Sequence, residues 1–186
     1  MREFHRIAQG VDVLPLLHSL QRKSFLWNAN KFRTTFPNTP FVDVDDIMLR
    51  FSDTEKCLTT TNAIGDEAPI FHDAWRELPE VKPIITNLMA WTKAYQLDRV
   101  LITRIRPGGV ILPHADNDGA YVNTDDRTRY HVVLQGLPGS LYTTGDETVC
   151  MLTGEVWWFN AHEIHHVENN SVDDRIHLLV DVRTMP

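Results

Sequence analysis

Two periodicities divide the chain. In the first half, Val13, Leu16, Leu17 and Leu20 recur at the three- and four-residue spacing of one helix face, and Val81, Ile84, Ile85, Leu88, Thr92 and Tyr95 form a second such stripe. Between them Asp46-Ile47-Met48-Leu49-Arg50-Phe51 reads as one strand, with Pro37, Pro40, Pro69 and Pro79 marking the connections. From Arg99 onward the pattern changes to short apolar or alternating runs at 99–106, 110–112, 129–134, 141–143, 148–152, 156–159, 164–168 and 176–182. Turn residues separate them, as in Pro107-Gly108-Gly109, Leu137-Pro138-Gly139 and Gly145-Asp146-Glu147. Strands this short and this evenly spaced predict an antiparallel sandwich or barrel, and jelly-roll closure manages the open edges. The expected fold is mainly β with flanking helices. Residues 1–186 form a single domain, with 1–97 a mixed helical and strand support region and 98–184 a jelly-roll, cupin-like core that N-terminal helices buttress.

The last run makes the layering explicit. Ile176, Leu178, Val180 and Val182 share one side of a strand, while Arg175, His177, Leu179 and Asp181 share the other. The first side is expected to meet helices. The second, studded with ionisable groups, suits the lining of a pocket.

Composition narrows the function classes. The 186 residues carry 18 Lys+Arg against 25 Asp+Glu, a net charge of −7, with 42% hydrophobic and 23% charged residues. This is the profile of an ordinary globular domain, long enough to bury roughly 70% of its unfolded surface without a disulfide. The acidic balance argues against a basic groove for nucleic acid. No apolar run approaches the roughly 20 residues of a membrane-spanning helix, Val156 to Phe159 being typical. Cys57 and Cys150 form no CxxC or framework spacing, and the opening residues hold no continuous apolar leader, so the expected compartment is reducing and cytoplasmic.

The candidate chemistry begins at His114-Ala115-Asp116. Residues two apart on an extended backbone point to one side, so an imidazole and a carboxylate can converge on one ion. Downstream, Ile164-His165-His166-Val167-Glu168 leads through the turn-rich 169–174 into Arg175. A hairpin centred near Asn170 sets Arg175 opposite His165 on one face. An inward His165 then completes a two-histidine, one-carboxylate facial site with His114 and Asp116, the ligand set of non-haem iron(II), with open positions on the metal. Arg175 supplies a fork suited to a carboxylate, so a chelating dicarboxylate and dioxygen fit the remaining positions. A zinc hydrolase with Glu163 or Glu168 as base stays open but leaves Arg175 without a role. A cupin-like protein that binds a metal or small ligand without turnover is the other alternative.

These residues resemble the iron(II)- and 2-oxoglutarate-dependent oxygenases, within them the aspartyl/asparaginyl β-hydroxylase-like group. The resemblance runs from about residue 100 to 182. It is carried by Pro107-Gly108, Pro113-His114-Ala115-Asp116, Arg129-Tyr130-His131, Gly154-Glu155-Val156-Trp157-Trp158-Phe159, His165, Arg175 and Val180-Asp181-Val182. It implies a double-stranded β-helix, iron(II) on His114, Asp116 and His165, and Arg175 on the distal carboxylate of the cosubstrate 2-oxoglutarate with help from the Thr103 hydroxyl. Arg129 and His131 match positions that contact the cosubstrate near the metal. Asp116 is present where some members of the group lack the carboxylate ligand, which points to hydroxylation rather than halogenation. The implied activity is hydroxylation of an amino acid, free or as a residue in a peptide or protein.

Other residues are read more plainly. His166 should face away from His165, His162 belongs to a loop, and Trp157 and Trp158 point to opposite sides of their strand. The polar run after Asp116, with Tyr121, is expected to be a loop beside the metal and a lid over it. Arg50 is a candidate for a substrate carboxylate.

Overall fold

A computed structural model describes residues 3–35, 37–54, 68–116 and 127–185. The expected lid at 117–126 with Tyr121, and Cys57, lie outside the described residues. In chain order the strands are β1 (Phe4–Ala8), β2 (Val44–Phe51), β3 (Ile70–Phe71), β4 (Ala94–Ile105), β5 (Val110–His114), β6 (Arg127–Gln135), β7 (Ser140–Thr144), β8 (Glu147–Cys150), β9 (Val156–Phe159), β10 (His165–Asn169) and β11 (Arg175–Thr184). The helices are α1 (Leu14–Arg22), α2 (Phe32–Thr35), α3 (Ala74–Glu77) and α4 (Val81–Thr92). A seven-stranded sheet runs β1-β9-β6-β11-β4-β2-β3, and a four-stranded sheet runs β5-β10-β7-β8. Every strand pairing is antiparallel. This is the jelly-roll expected from the spacing of the runs.

The alternation along β11 decides which side of the large sheet is which. Ile176, Leu178, Val180 and Val182 join Leu16 and Leu20 of α1 and Val81, Ile84, Ile85 and Leu88 of α4 in one buried cluster. The helices therefore cover the outer face, as the pattern predicts. A second cluster, with Phe4, Val44, Ile105, Val133, Tyr142, Phe159 and Val167, lies between the two sheets and closes one part of the roll.

Three features differ from the expectation. The second helical stripe stops at Thr92, because Lys93 takes a left-handed conformation (φ 55°) that ends α4 and sends Tyr95 into β4. An N-terminal strand, β1, pairs with β9 and extends the large sheet. The third concerns β10 and β11, which do not form a hairpin. β10 pairs with β5 and β7 in the small sheet, whereas β11 pairs with β4 and β6 in the large one. The turn between them crosses from sheet to sheet, pinned by the Asn169 side chain. That amide donates to the carbonyls of Ile105 (2.8 Å) and Asp173 (2.9 Å), and its oxygen accepts from Ser171 Oγ (2.6 Å). His165 and Arg175 therefore approach from opposite walls rather than as cross-strand neighbours.

Among the described residues no helix is long and apolar enough to cross a membrane. Leu178 has no exposure, while Val172 in the crossing turn is 93% exposed. Leu178→Ala is expected to cost about 3 kcal/mol of unfolding free energy and Val172→Ala under about 0.5 kcal/mol. Urea unfolding measures both, and a loss below about 1 kcal/mol for Leu178→Ala would contradict the assigned facing of β11.

Candidate metal and anion site

The cavity between the sheets collects His114, Asp116, Arg129, His131, His165 and Arg175. Thr103 lines it as well. The surface cleft between Val42–Asp45 and Arg106–Gly109 is more open but holds none of these residues.

His114 ends β5 and His165 opens β10, and the two are Cα partners in the ladder with ring centroids 4.3 Å apart. Each ring is fixed by its own backbone. His114 Nδ1 donates to the Leu112 carbonyl at 2.8 Å, and His165 Nδ1 donates to the Glu163 carbonyl at 2.9 Å. With Nδ1 carrying the proton, Nε2 of each is left as a lone pair, which is the form a metal takes. Asp116 follows β5 by two residues and is anchored through its own N–H to the Ala161 carbonyl (3.0 Å). Its Oδ2 accepts from Arg129 Nη1 at 2.9 Å, and its Oδ1 lies 3.5 Å from His114 Nε2. One ligand atom from each of the three residues falls within 4.8 Å of the other two. Two neutral imidazole nitrogens and a carboxylate oxygen make a donor set that fits a first-row divalent metal.

Electrostatics agree with that form. Burial pushes His114 down and His165 down to about 4, so both stay neutral near pH 7. Burial pushes Asp116 up, but the Arg129 guanidinium, with a smaller contribution from Arg33, outweighs it and holds the carboxyl below its ordinary value. Arg129 is itself clamped, with Nε and Nη2 donating to Asp181 Oδ1 and Oδ2 at 2.7 and 2.9 Å.

The far end of the cavity is different. Arg175 is only 2% exposed, yet no carboxylate of the described residues lies within ion-pair distance of it. Its Nη2 donates to His177 Nδ1 at 3.0 Å, and its guanidinium carbon lies 5.6 Å from the centre of the Tyr142 ring. Burial without a counter-charge pushes its pKa down to about 10. His131 Nδ1 stands 3.3 Å from the same His177 atom, and His131 Nε2 is buried with no hydrogen-bond partner among the described residues. Thr103 is buried and is the Cα partner of His177. A buried guanidinium without a carboxylate, with the Thr103 hydroxyl in the same cavity, describes a place for an anion with several oxygens.

All seven site residues singled out from sequence line this cavity, and others join them. Tyr142 and Phe159 wall its apolar side, and Arg33 and Phe41 enter from the N-terminal half. Tyr142 carried a signal, because Ser140, Tyr142 and Thr144 alternate inward along β7; Arg33 and Phe41 carried none. His162 and His166 stay off the cavity wall, and Arg50 is occupied elsewhere, donating to the Asp98 carbonyl at 2.8 Å. Neither Glu163 nor Glu168 lines the cavity, so a zinc hydrolase would have neither proposed base at the metal.

The family model for aspartyl/asparaginyl beta-hydroxylase matches residues 58–184. L-proline cis-3-hydroxylase 1 of Streptomyces sp is 27% identical over 108 residues, 57% of this chain and 35% of that protein. L-proline cis-4-hydroxylase of Rhizobium meliloti (strain 1021) is 33% identical over 81 residues, 43% of this chain and 28% of that protein. The match thus spans about a third of the length of these curated relatives. An oxidoreductase of the 2OG-Fe(II) oxygenase family from Burkholderia pseudomallei shares the fold. Its TM-score is 0.54 at 17% identity, over 89% of this chain and 78% of that one.

The buried histidines make a pH prediction. Burial lowers His114 and His165, and burial with the nearby Arg175 lowers His131 and His177 well below the ordinary value near 6.5. Below that value the unfolded chain binds more protons than the folded one, so metal-free stability falls as pH drops from about 6.5 toward 4. Urea unfolding of metal-free protein at pH 7 and pH 5 should show a loss of more than about 1 kcal/mol; equal stabilities would contradict the neutral, buried state of these rings.

Proposed function

The chain belongs to the aspartyl/asparaginyl beta-hydroxylase family, and from that membership we propose that it is an iron(II)- and 2-oxoglutarate-dependent oxygenase. Its substrate is an amino acid, free or as a residue in a peptide or protein, and its setting is cytoplasmic. The observation that carries this reading is the buried, carboxylate-free Arg175 in the same cavity as a three-residue metal donor set. A metal site alone fits many proteins. A metal site with an unpaired guanidinium across the cavity fits a ligand that chelates at one end and is anionic at the other. The names of the two curated relatives, both hydroxylases of L-proline, support an amino acid as the group oxidised.

In this reading His114, Asp116 and His165 hold iron(II), and the bound pair of iron and 2-oxoglutarate supplies dioxygen activation coupled to oxidative decarboxylation of the cosubstrate to succinate and carbon dioxide. The chain's own residues do the rest. Arg175 and Thr103 hold the distal carboxylate, and His177 keeps the guanidinium in place through its Nδ1. Arg129, locked by Asp181, steadies Asp116 and faces the end of the cosubstrate nearer the metal, while His131, beside His177, faces it from the side of Arg175. Tyr142, Phe159 and Leu179 form an apolar wall that keeps water from the reacting centre.

Two kinds of variant separate the roles. His114→Ala or His165→Ala is expected to abolish stoichiometric iron binding, measured by metal analysis after desalting. Arg175→Met should keep iron but raise the KM for 2-oxoglutarate roughly 100-fold or more, as expected for loss of a buried charge-assisted pair. An unchanged KM in Arg175→Met would remove the anchoring role.

A further inference from the structure

The oxygenase reading gives work to each ionisable group on the cavity wall except Arg33. This residue stands on α2 and reaches the cavity from the half of the chain that precedes the roll. Its Nε and Nη2 donate to Asp46 Oδ2 and Oδ1 at 2.9 and 3.1 Å, and the Asp46 side chain is wholly buried. Its guanidinium carbon lies 3.8 Å over the Phe41 ring. Phe41 in turn meets His114 edge-on, with ring centroids 5.2 Å apart. Arg33 is thus set one aromatic ring from a metal donor, at the opposite end of the cavity from Arg175.

That setting is tight but incomplete. Two of the three guanidinium nitrogens are spent on Asp46, whereas Nη1 makes no hydrogen bond among the described residues, and the side chain keeps 13% exposure. Arginine can hold one carboxylate with one edge of its planar fork and offer another edge to a second in a fixed geometry. The charges around the cavity point the same way. The guanidiniums of Arg33, Arg129 and Arg175 are matched in number by the carboxylates of Asp46, Asp116 and Asp181. A divalent metal and a doubly charged dicarboxylate cancel each other. A third molecule leaves the balance undisturbed if it carries no net charge, and a zwitterion does so while still presenting a carboxylate.

We propose that Arg33, positioned by Asp46 and Phe41, binds the carboxylate of the prime substrate, and that this substrate is a free amino acid rather than an internal residue of a peptide. The proposal rests on the oxygenase reading above and narrows it. An internal residue or an amide offers Nη1 only a neutral carbonyl oxygen, whereas a carboxylate accepts the stronger charge-assisted hydrogen bond, so the site favours the free acid.

The test uses the iron(II)-loaded full chain with 2-oxoglutarate, a panel of free L-amino acids, the primary amide of each, and short peptides containing the same residues internally. Succinate release gives kcat/KM. The wild-type chain is expected to favour at least one free acid over its amide by roughly 10-fold or more. Arg33→Met should bring that ratio close to one, mainly through KM for the acid. Because this variant strands the buried Asp46 charge, Arg33→Met with Asp46→Asn is made beside it, and the same collapse of the ratio is expected. Equal use of acid and amide by the wild-type chain, stimulation by internal peptide residues only, or a preference that survives both variants contradicts the carboxylate subsite while the oxygenase reading stands. A wild-type chain that binds no 2-oxoglutarate contradicts both.

Discussion

A guanidinium buried between two sheets without a carboxylate is the constraint around which the site is arranged. Taking an arginine out of water costs several kcal/mol unless another charge or a set of hydrogen bonds answers it. Two other arginines of the cavity are answered within the chain, Arg129 by Asp181 and Asp116, and Arg33 by Asp46. Arg175 has the lone pair of His177 and the ring of Tyr142, and neither carries a negative charge. Folded alone, the chain holds an electrostatic deficit at one end of its cavity, and an anionic ligand removes it on binding.

The rest of the roll makes that deficit specific. The small sheet supplies both histidines from adjacent strand ends, each with its tautomer fixed by a neighbouring carbonyl, so the donor geometry is a property of the backbone ladder. The large sheet supplies Arg175, Thr103, Arg129 and His131 from β11, β4 and β6, packed from behind by α1 and α4. The crossing turn pinned by Asn169 joins the two walls. The proposed metal donors and the proposed anion anchor thus sit on separate sheets at a separation the fold sets, an arrangement that would position a chelating ligand between them.

Much of this was legible in the sequence, for physical reasons that can be named. The strands of the roll announced themselves because alternation reports burial directly, and β11 showed both of its faces in four pairs of residues. β1 did not, since Phe4 alone of its five residues is buried and its partner β9 lies some 150 residues away. The hairpin expected between His165 and Arg175 failed because a short polar turn looks the same whether it folds back within a sheet or crosses to the other. The Asn169 bonds that decide the matter are tertiary. The same two residues still share a cavity, since opposite walls of a roll serve as well as opposite strands of a hairpin. Arg33 and Phe41 were invisible for a related reason: a four-residue helix and a loop carry no periodicity, and their place beside His114 comes from packing across some 80 residues of chain.

The measurement that bears most directly on the account is an anaerobic titration of the iron(II)-loaded chain with 2-oxoglutarate, followed through the visible charge-transfer band of the metal chelate. Saturable growth of that band at one equivalent is the predicted result, since the donor set and the unpaired guanidinium would then be serving one ligand. Iron bound at one equivalent with no band at millimolar 2-oxoglutarate would contradict it and leave a metal-binding roll without the cosubstrate.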